Sequence, residues 1–148
     1  KMAEIKGKVI FDKELCTGCL ACMTACIDAR CPAENAEGVS MRRIRKVTDE
    51  KARFQKNICT GCLHCGLCIS QCGQGALYRD EETGLVLLRR EQCVGCGRCA
   101  QVCPEQAIFF DKDKKAEKCD GCIEYQREGR LPACVKACPV HALKIEKQ

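Results

Sequence analysis

The sequence predicts an α+β fold: two small modules in which short β-hairpins and short helices surround bound groups, with the outer module discontinuous in the chain. Three observations carry that prediction. Cysteine accounts for 18 of the 148 residues, about 12%, above the level that marks a cross-linked or metal-filled scaffold. Leu, Ile, Val and Phe together number 31, with no Trp and two Tyr, too few for an ordinary core at this length. The cysteines also recur in groups of nearly constant spacing, so whatever they bind stands in for the core.

The first group is Cys16, Cys19, Cys22 and Cys26. The second is Cys62, Cys65, Cys68 and Cys72, with Cys59 one step upstream. The third is Cys93, Cys96, Cys99 and Cys103, followed by Pro104; the fourth is Cys119, Cys122, Cys134 and Cys138, followed by Pro139. Cys31 stands alone. Three groups read CxxCxxCxxxC, and the fourth stretches its middle gap to eleven residues. An even count fits a disulfide framework, but regular triplets in tight turns are not how such frameworks usually space their cysteines. Zinc uses CxxC pairs, two to a tetrahedral site, and leaves the third cysteine of each triplet idle. The run CxxCxxCxxxCP uses them all. Three close thiolates grip one [4Fe–4S] cubane and the fourth reaches the other cluster of a pair. Sixteen ligands then make four [4Fe–4S] clusters, with Cys31 and Cys59 left as spare buried thiols. Gly18, Gly61, Gly95, Gly97 and Gly121 let the backbone pass close to the inorganic core and donate N–H bonds to its sulfurs.

Taken in order, residues 9–11 read as a short strand ahead of the first group, and residues 32–52 as a crossing segment. Residues 53–112 hold groups two and three as an inner two-cluster module. Within it, residues 76–88 form a hairpin whose polar turn contains Thr83-Gly84, and residues 108–110 form a strand after the third group. Residues 1–31 plus 113–148 make the outer two-cluster module. A pattern C-x-x-x-A-[LI] recurs at Cys72 to Leu77, Cys103 to Ile108 and Cys138 to Leu143, each a ligand loop ending in a helical turn and a strand. Repeated twice, this is the two-cluster ferredoxin plan. Exchange of fourth ligands predicts inner sites of Cys62, Cys65, Cys68 with Cys103, and of Cys93, Cys96, Cys99 with Cys72. The outer sites are Cys16, Cys19, Cys22 with Cys138, and Cys119, Cys122, Cys134 with Cys26.

The stretch KCDGCIEYQREGRLPACVKACPVHAL (residues 118–143), the run AEGVSMRRI after the first group and the Leu63-His64-Cys65 step make the sequence resemble a known family. It is similar to the four-cluster iron–sulfur subunits of multi-subunit oxidoreductases. Relatives serve dimethyl sulfoxide reductase, formate dehydrogenase, tungsten aldehyde oxidoreductase, hydrogenases and carbon monoxide dehydrogenase. The resemblance implies an electron-transfer subunit with the nested ligand pairing above. Its partners would be a catalytic subunit of molybdenum- or tungsten-pterin type and a further electron carrier or acceptor subunit. The short chain favours the compact subunits that accompany tungsten aldehyde oxidoreductases. Cys26 and Cys72 lack the proline that commonly follows in the family. A longer middle gap in the second group, also common there, would make Cys59 and Cys62 the first two ligands and Cys65 the spare.

The formal charge of +5 counts every cysteine as neutral. An oxidised cubane with its four thiolates carries about −2, so four of them bring the total to about −3. The Lys and Arg excess becomes counter-charge, and nucleic acid is not an expected partner. Met41-Arg42-Arg43-Ile44-Arg45-Lys46 reads either as a docking strip or as a strand face turned to solvent and clusters. Gly95 to Ala100 matches GxGxxA in form but lies inside a ligand loop. His64 and His141 are expected beside ligands rather than on iron, and Asp28 and Asp120 near cluster loops as turn caps or tuning charges. No paired carboxylates, activated nucleophile or phosphate loop stands out, so no substrate site of its own is expected. No stretch approaches the roughly 18 apolar residues of a membrane span, and the N-terminus shows no signal-peptide core. Together with oxygen-labile clusters this points to a cytoplasmic, anaerobic setting. Clusters reaching both ends would also allow copies to stack head to tail.

Overall fold

The structure, a computed structural model, describes residues 5–30, 38–51 and 54–147. Cys31 and the start of the crossing segment lie outside them. The chain runs β1 (Lys8–Phe11), α1 (Ala21–Arg30), β2 (Arg43–Asp49), β3 (Phe54–Thr60), α2 (Leu67–Gln71), β4 (Leu77–Arg79) and β5 (Val86–Leu88). It continues through a 3-10 turn (Arg90–Gln92), α3 (Arg98–Val102), β6 (Ile108–Phe110), β7 (Ala116–Lys118), α4 (Ile123–Arg127), α5 (Ala133–Ala137) and β8 (Leu143–Glu146). This is the mixed helix–strand fold with short hairpins that the cysteine spacing predicts.

Among the described residues the strands pair in twos, all antiparallel: β1 with β8, β2 with β3, β4 with β5, and β6 with β7. An isolated pair of strands is barely stable in water, so each ribbon needs a face to lie on. The ribbons β4–β5 and β6–β7 supply Leu77, Val86, Ile108 and Ala116 to one buried cluster, completed by Cys68, Cys93 and Cys99. Val9 and Leu143, from the β1–β8 ribbon, form a second cluster with Val135, Cys22 and Cys134. Pairing of Lys8 with Glu146 through Phe11 with Leu143 draws the two ends of the described residues together. Cysteine side chains are part of both clusters, which explains how so few large apolar residues suffice.

The helices repeat one design. Cys22, Cys68, Cys99 and Cys134 are each the second residue of a helix, α1, α2, α3 and α5. Cys72, Cys103 and Cys138 follow directly on the ends of α2, α3 and α5. The eleven-residue gap of the fourth group holds α4, whose Ile123 packs with Leu85 and Leu87 in a third, smaller cluster.

The crossing segment does more than cross. Its residues 43–49 form β2 and pair in full register with β3. Arg43 lies over the Phe109 ring at 4.0 Å, Ile44 packs on the second cluster, and the Asn57 amide donates to the Cys16 carbonyl at 2.8 Å. The ribbon therefore covers the first cysteine loop, where a Cβ on Gly18 would stand 2.8 Å from the Asn57 and Lys46 side chains.

Candidate metal centres

Three cavities are each ringed by four cysteines. Cys62, Cys65, Cys68 and Cys103 line one, with Val86, Pro104, Ile108 and Lys118. Cys72, Cys93, Cys96 and Cys99 line a second, with Ala76, Leu77 and Ala116. Cys16, Cys19, Cys22 and Cys138 line a third, with Phe11, Ile44 and Leu143. In each ring, three cysteines come from one group and the fourth from another. For the remaining quartet, Cys26, Cys122 and Cys134 lie within electrostatic reach of one another. Cys119 lies within electrostatic reach of Cys62 and of Arg42, and Arg42 in turn reaches Cys134.

Backbone N–H groups converge on the sulfurs. Ala107 donates to Cys103 at 3.3 Å and Ala142 to Cys138 at 3.2 Å. Burial opposes ionisation at Cys72, but the N–H groups of Leu77, Ala76, Gln74 and Gly75 outweigh it and pull the thiol down. Cys138 is pulled down in the same way, by residues 140–143. The repeat C-x-x-x-A-[LI] is therefore an N–H cradle, and its alanines Ala76, Ala107 and Ala142 are buried. Cys26 lies inside α1, lacks that cradle, and takes the N–H of Met41 at 3.3 Å instead. His64, Gly121 and Ala116 donate similarly to Cys62, Cys119 and Cys93.

Elsewhere desolvation dominates. Burial pushes Cys119 up to about 12, and Cys22 and Cys122 up to about 11. Such thiols stay protonated at neutral pH unless a metal takes the place of the proton. Among the described residues, no three Cys, His, Asp or Glu side chains converge as they would on a single metal ion. A tetrahedral zinc would draw its sulfurs to within about 3.8 Å of one another. Rings spread around a cavity, with N–H donors aimed at their sulfurs, fit a cluster that bridges the space. The buried Arg42 Nε, a donor left without a partner beside these thiols, fits an anionic sulfur group as well.

Three side chains beside these centres have roles of their own. Cys59 takes a bond from Arg42 Nη1 at 2.8 Å and lies outside the three cavities, whereas the exposed Cys65 is in a ring. His64 Nδ1 accepts the Val86 N–H at 3.0 Å; burial, then the charge of Lys118, pushes its pKa down to about 3. Lys118 is buried too, its Nζ held by the carbonyls of Val86 and Cys119. His141 is exposed. Asp120 accepts the Cys122 N–H at 2.9 Å, which caps the fourth loop.

Cysteine rings, amide cradles and a thin apolar core define a ferredoxin-like iron–sulfur protein. Residues 50–148 match the 4Fe-4S dicluster domain, and this protein belongs to that family. Protein NrfC of Escherichia coli K12 is 37% identical over 144 residues, covering 94% of this chain and 64% of the relative. The B subunit of the anaerobic dimethyl sulfoxide reductase of Haemophilus influenzae is 35% identical over 147 residues, covering 90% and 70%. Hydrogenase-2 operon protein HybA of Escherichia coli O157:H7 is 30% identical over 163 residues, covering 91% and 50%. The chain thus spans less than two thirds of the NrfC and HybA relatives. The family and the cysteine rings together give it multiple [4Fe–4S] clusters. No helix of the described residues is long and apolar enough to cross a membrane.

Proposed function

We propose that this chain relays electrons through four [4Fe–4S] clusters between a separate catalytic oxidoreductase subunit and a further carrier or acceptor. The carrying observation is that three cavities are each lined by three cysteines of one group and one of another, which supports an exchange of fourth ligands. In this reading the ligand sets are Cys62, Cys65, Cys68, Cys103; Cys93, Cys96, Cys99, Cys72; Cys16, Cys19, Cys22, Cys138; and Cys119, Cys122, Cys134, Cys26. The division into an inner module (53–112), an outer module (1–31 plus 113–148) and a crossing segment (32–52) is supported by the β1–β8 pairing and by the packing of α1 on α5.

Each cluster, when bound, takes up and gives back one electron. The protein's own residues hold the sites in a row. The α2–α3 contact joins the two inner rings, the proximity of Cys62 and Cys119 joins inner to outer, and that of Cys134 and Cys22 joins the outer pair. Cys96 and Cys19, at opposite ends of that row, are exposed, which suits electron entry and exit there. Buried apolar neighbours exclude water, and the amide cradles fix how readily each site accepts charge.

A reductase subunit among the relatives supports a partner catalytic subunit, of molybdenum- or tungsten-pterin type in this reading. A cytoplasmic location is supported by ligation that needs reduced thiols. Anaerobic co-purification followed by native mass spectrometry identifies the catalytic subunit, any carrier and any head-to-tail self-association. Protein recovered alone, as a single copy, would count against all three partners.

Metal analysis tests the clusters. The holoprotein should hold 16 irons and 16 sulfides per chain, as four ligand quartets require. Cys65→Ser should lose about a quarter of the iron and Cys59→Ser none. Iron loss from Cys59→Ser alone would move the ligand to Cys59.

A further inference from the structure

Arg42 has no role in ligation, yet the fold builds a place for it. It is 6% exposed. Its backbone is clamped by Ser40, whose hydroxyl donates to the Arg42 carbonyl at 2.6 Å and accepts the Arg42 N–H at 3.2 Å. Gly61 leaves the room: a Cβ there would stand 3.1–3.3 Å from the guanidinium. Among the described residues no carboxylate pairs with it. Its Nη1 bonds Cys59, its guanidinium bonds Cys134, and Cys22 and Cys119 also feel its charge. Its Nε is buried without a partner.

Burying a guanidinium with no counter-ion is strongly unfavourable. The groups facing it are thiols, and only metal-bound thiolates and the sulfides behind them supply lasting negative charge. Lys118, the other buried cation nearby, is occupied by two carbonyls and lines the inner cavity, while its charge also reaches Cys119. Arg42 is the buried cation that bonds a thiol of the outer pair, Cys134.

We propose that Arg42 is the counter-ion of the outer clusters and sets the reduction potential of the one held by Cys119, Cys122, Cys134 and Cys26. This rests on the four-cluster reading above. A fixed positive charge in a dry site stabilises the form that has gained an electron, so this site accepts an electron more readily than its amide bonds alone would allow. A relay with a favoured acceptor between its inner and outer halves stores an electron there.

The test is an anaerobic redox titration of the holoprotein with a chemical reductant, followed by electron paramagnetic resonance, for the parent, R42Q, R42K and C59D. R42Q should lower the reduction equilibrium of one outer cluster about tenfold, a fall of about 59 mV for a one-electron couple. R42K, which keeps the charge, should retain most of the parent value. C59D leaves Arg42 in place and cancels its charge from the neighbouring position. It should lower the same midpoint even if R42Q fails to load iron. Full iron with unchanged midpoints in R42Q, or equal shifts in R42Q and R42K, would overturn the proposal while leaving the relay standing. Unchanged midpoints in a fully loaded C59D would overturn it as well. A parent with fewer than four clusters would instead overturn the reading beneath it.

Discussion

His64 occupies the backbone position that glycine fills in the other three groups. Gly18, Gly95 and Gly121 have φ of 74°, 73° and 69°, and His64 has φ 53°. A side chain in this left-handed region costs roughly 1–2 kcal/mol. The imidazole offsets that: its neutral form accepts the Val86 N–H from within the core. The residue thus joins the second cysteine loop to β5. His64→Leu keeps the strain and leaves a buried N–H unanswered. The iron-loaded protein should then lose about 1–3 kcal/mol, read as a lower guanidinium midpoint under anaerobic conditions with initial iron content unchanged. An unmoved midpoint would reduce His64 to a space-filler.

At the scale of elements, Gln126 in α4 fastens the N-terminal strand. Its amide oxygen takes the Gly7 N–H at 2.9 Å, and its nitrogen donates to the Gly7 and Gly121 carbonyls at 3.0 and 2.7 Å. Gln126→Leu should cost about 1–3 kcal/mol for the stranded backbone groups and speed amide exchange across β1 in particular. Uniform exchange changes, or none, would show that β8 alone holds the strand. This clamp also marks where sequence reasoning stops. The β1, β4–β5 and β6 strands were legible because apolar residues run between turn signals, and the rings because cysteine spacing is set by the group it grips. Of the β2–β3 ribbon only a charged strand face at residues 41–46 was, as one of two readings, and its pairing with β3 was not. Its Arg43–Asp49 strand is charged and nearly all exposed, and its value lies in delivering Arg42, Ile44 and Asn57 to sites far along the chain. The burial of Gln126 and Arg42 was not legible either, since it is decided by a distant Gly7 in one case and by a pocket of thiols in the other.

For the whole molecule, the cysteine rings sit where a domain of this length would place its core. Two of the three buried clusters count cysteines among their members, the strands of the described residues pair only in twos, and the largest fully buried side chains among those residues are Leu85, Val86 and Pro132. Without metal, burial would keep Cys22, Cys119 and Cys122 protonated, and Arg42 would lie buried against neutral thiols. The protonated thiols cost nothing at neutral pH, since they are protonated in the unfolded chain as well, but the uncompensated Arg42 disfavours the folded state, and the N–H cradles lose the charge they were built around. Metal binding and folding are then one equilibrium. Removing iron with a chelator under anaerobic, reducing conditions should abolish most helical circular dichroism and expand the hydrodynamic radius toward that of an unfolded polypeptide. Iron and sulfide should restore both together with the brown colour. An apoprotein that stayed compact, with its amides protected, would mean that the small apolar clusters hold the fold by themselves and that the metal centres only occupy it.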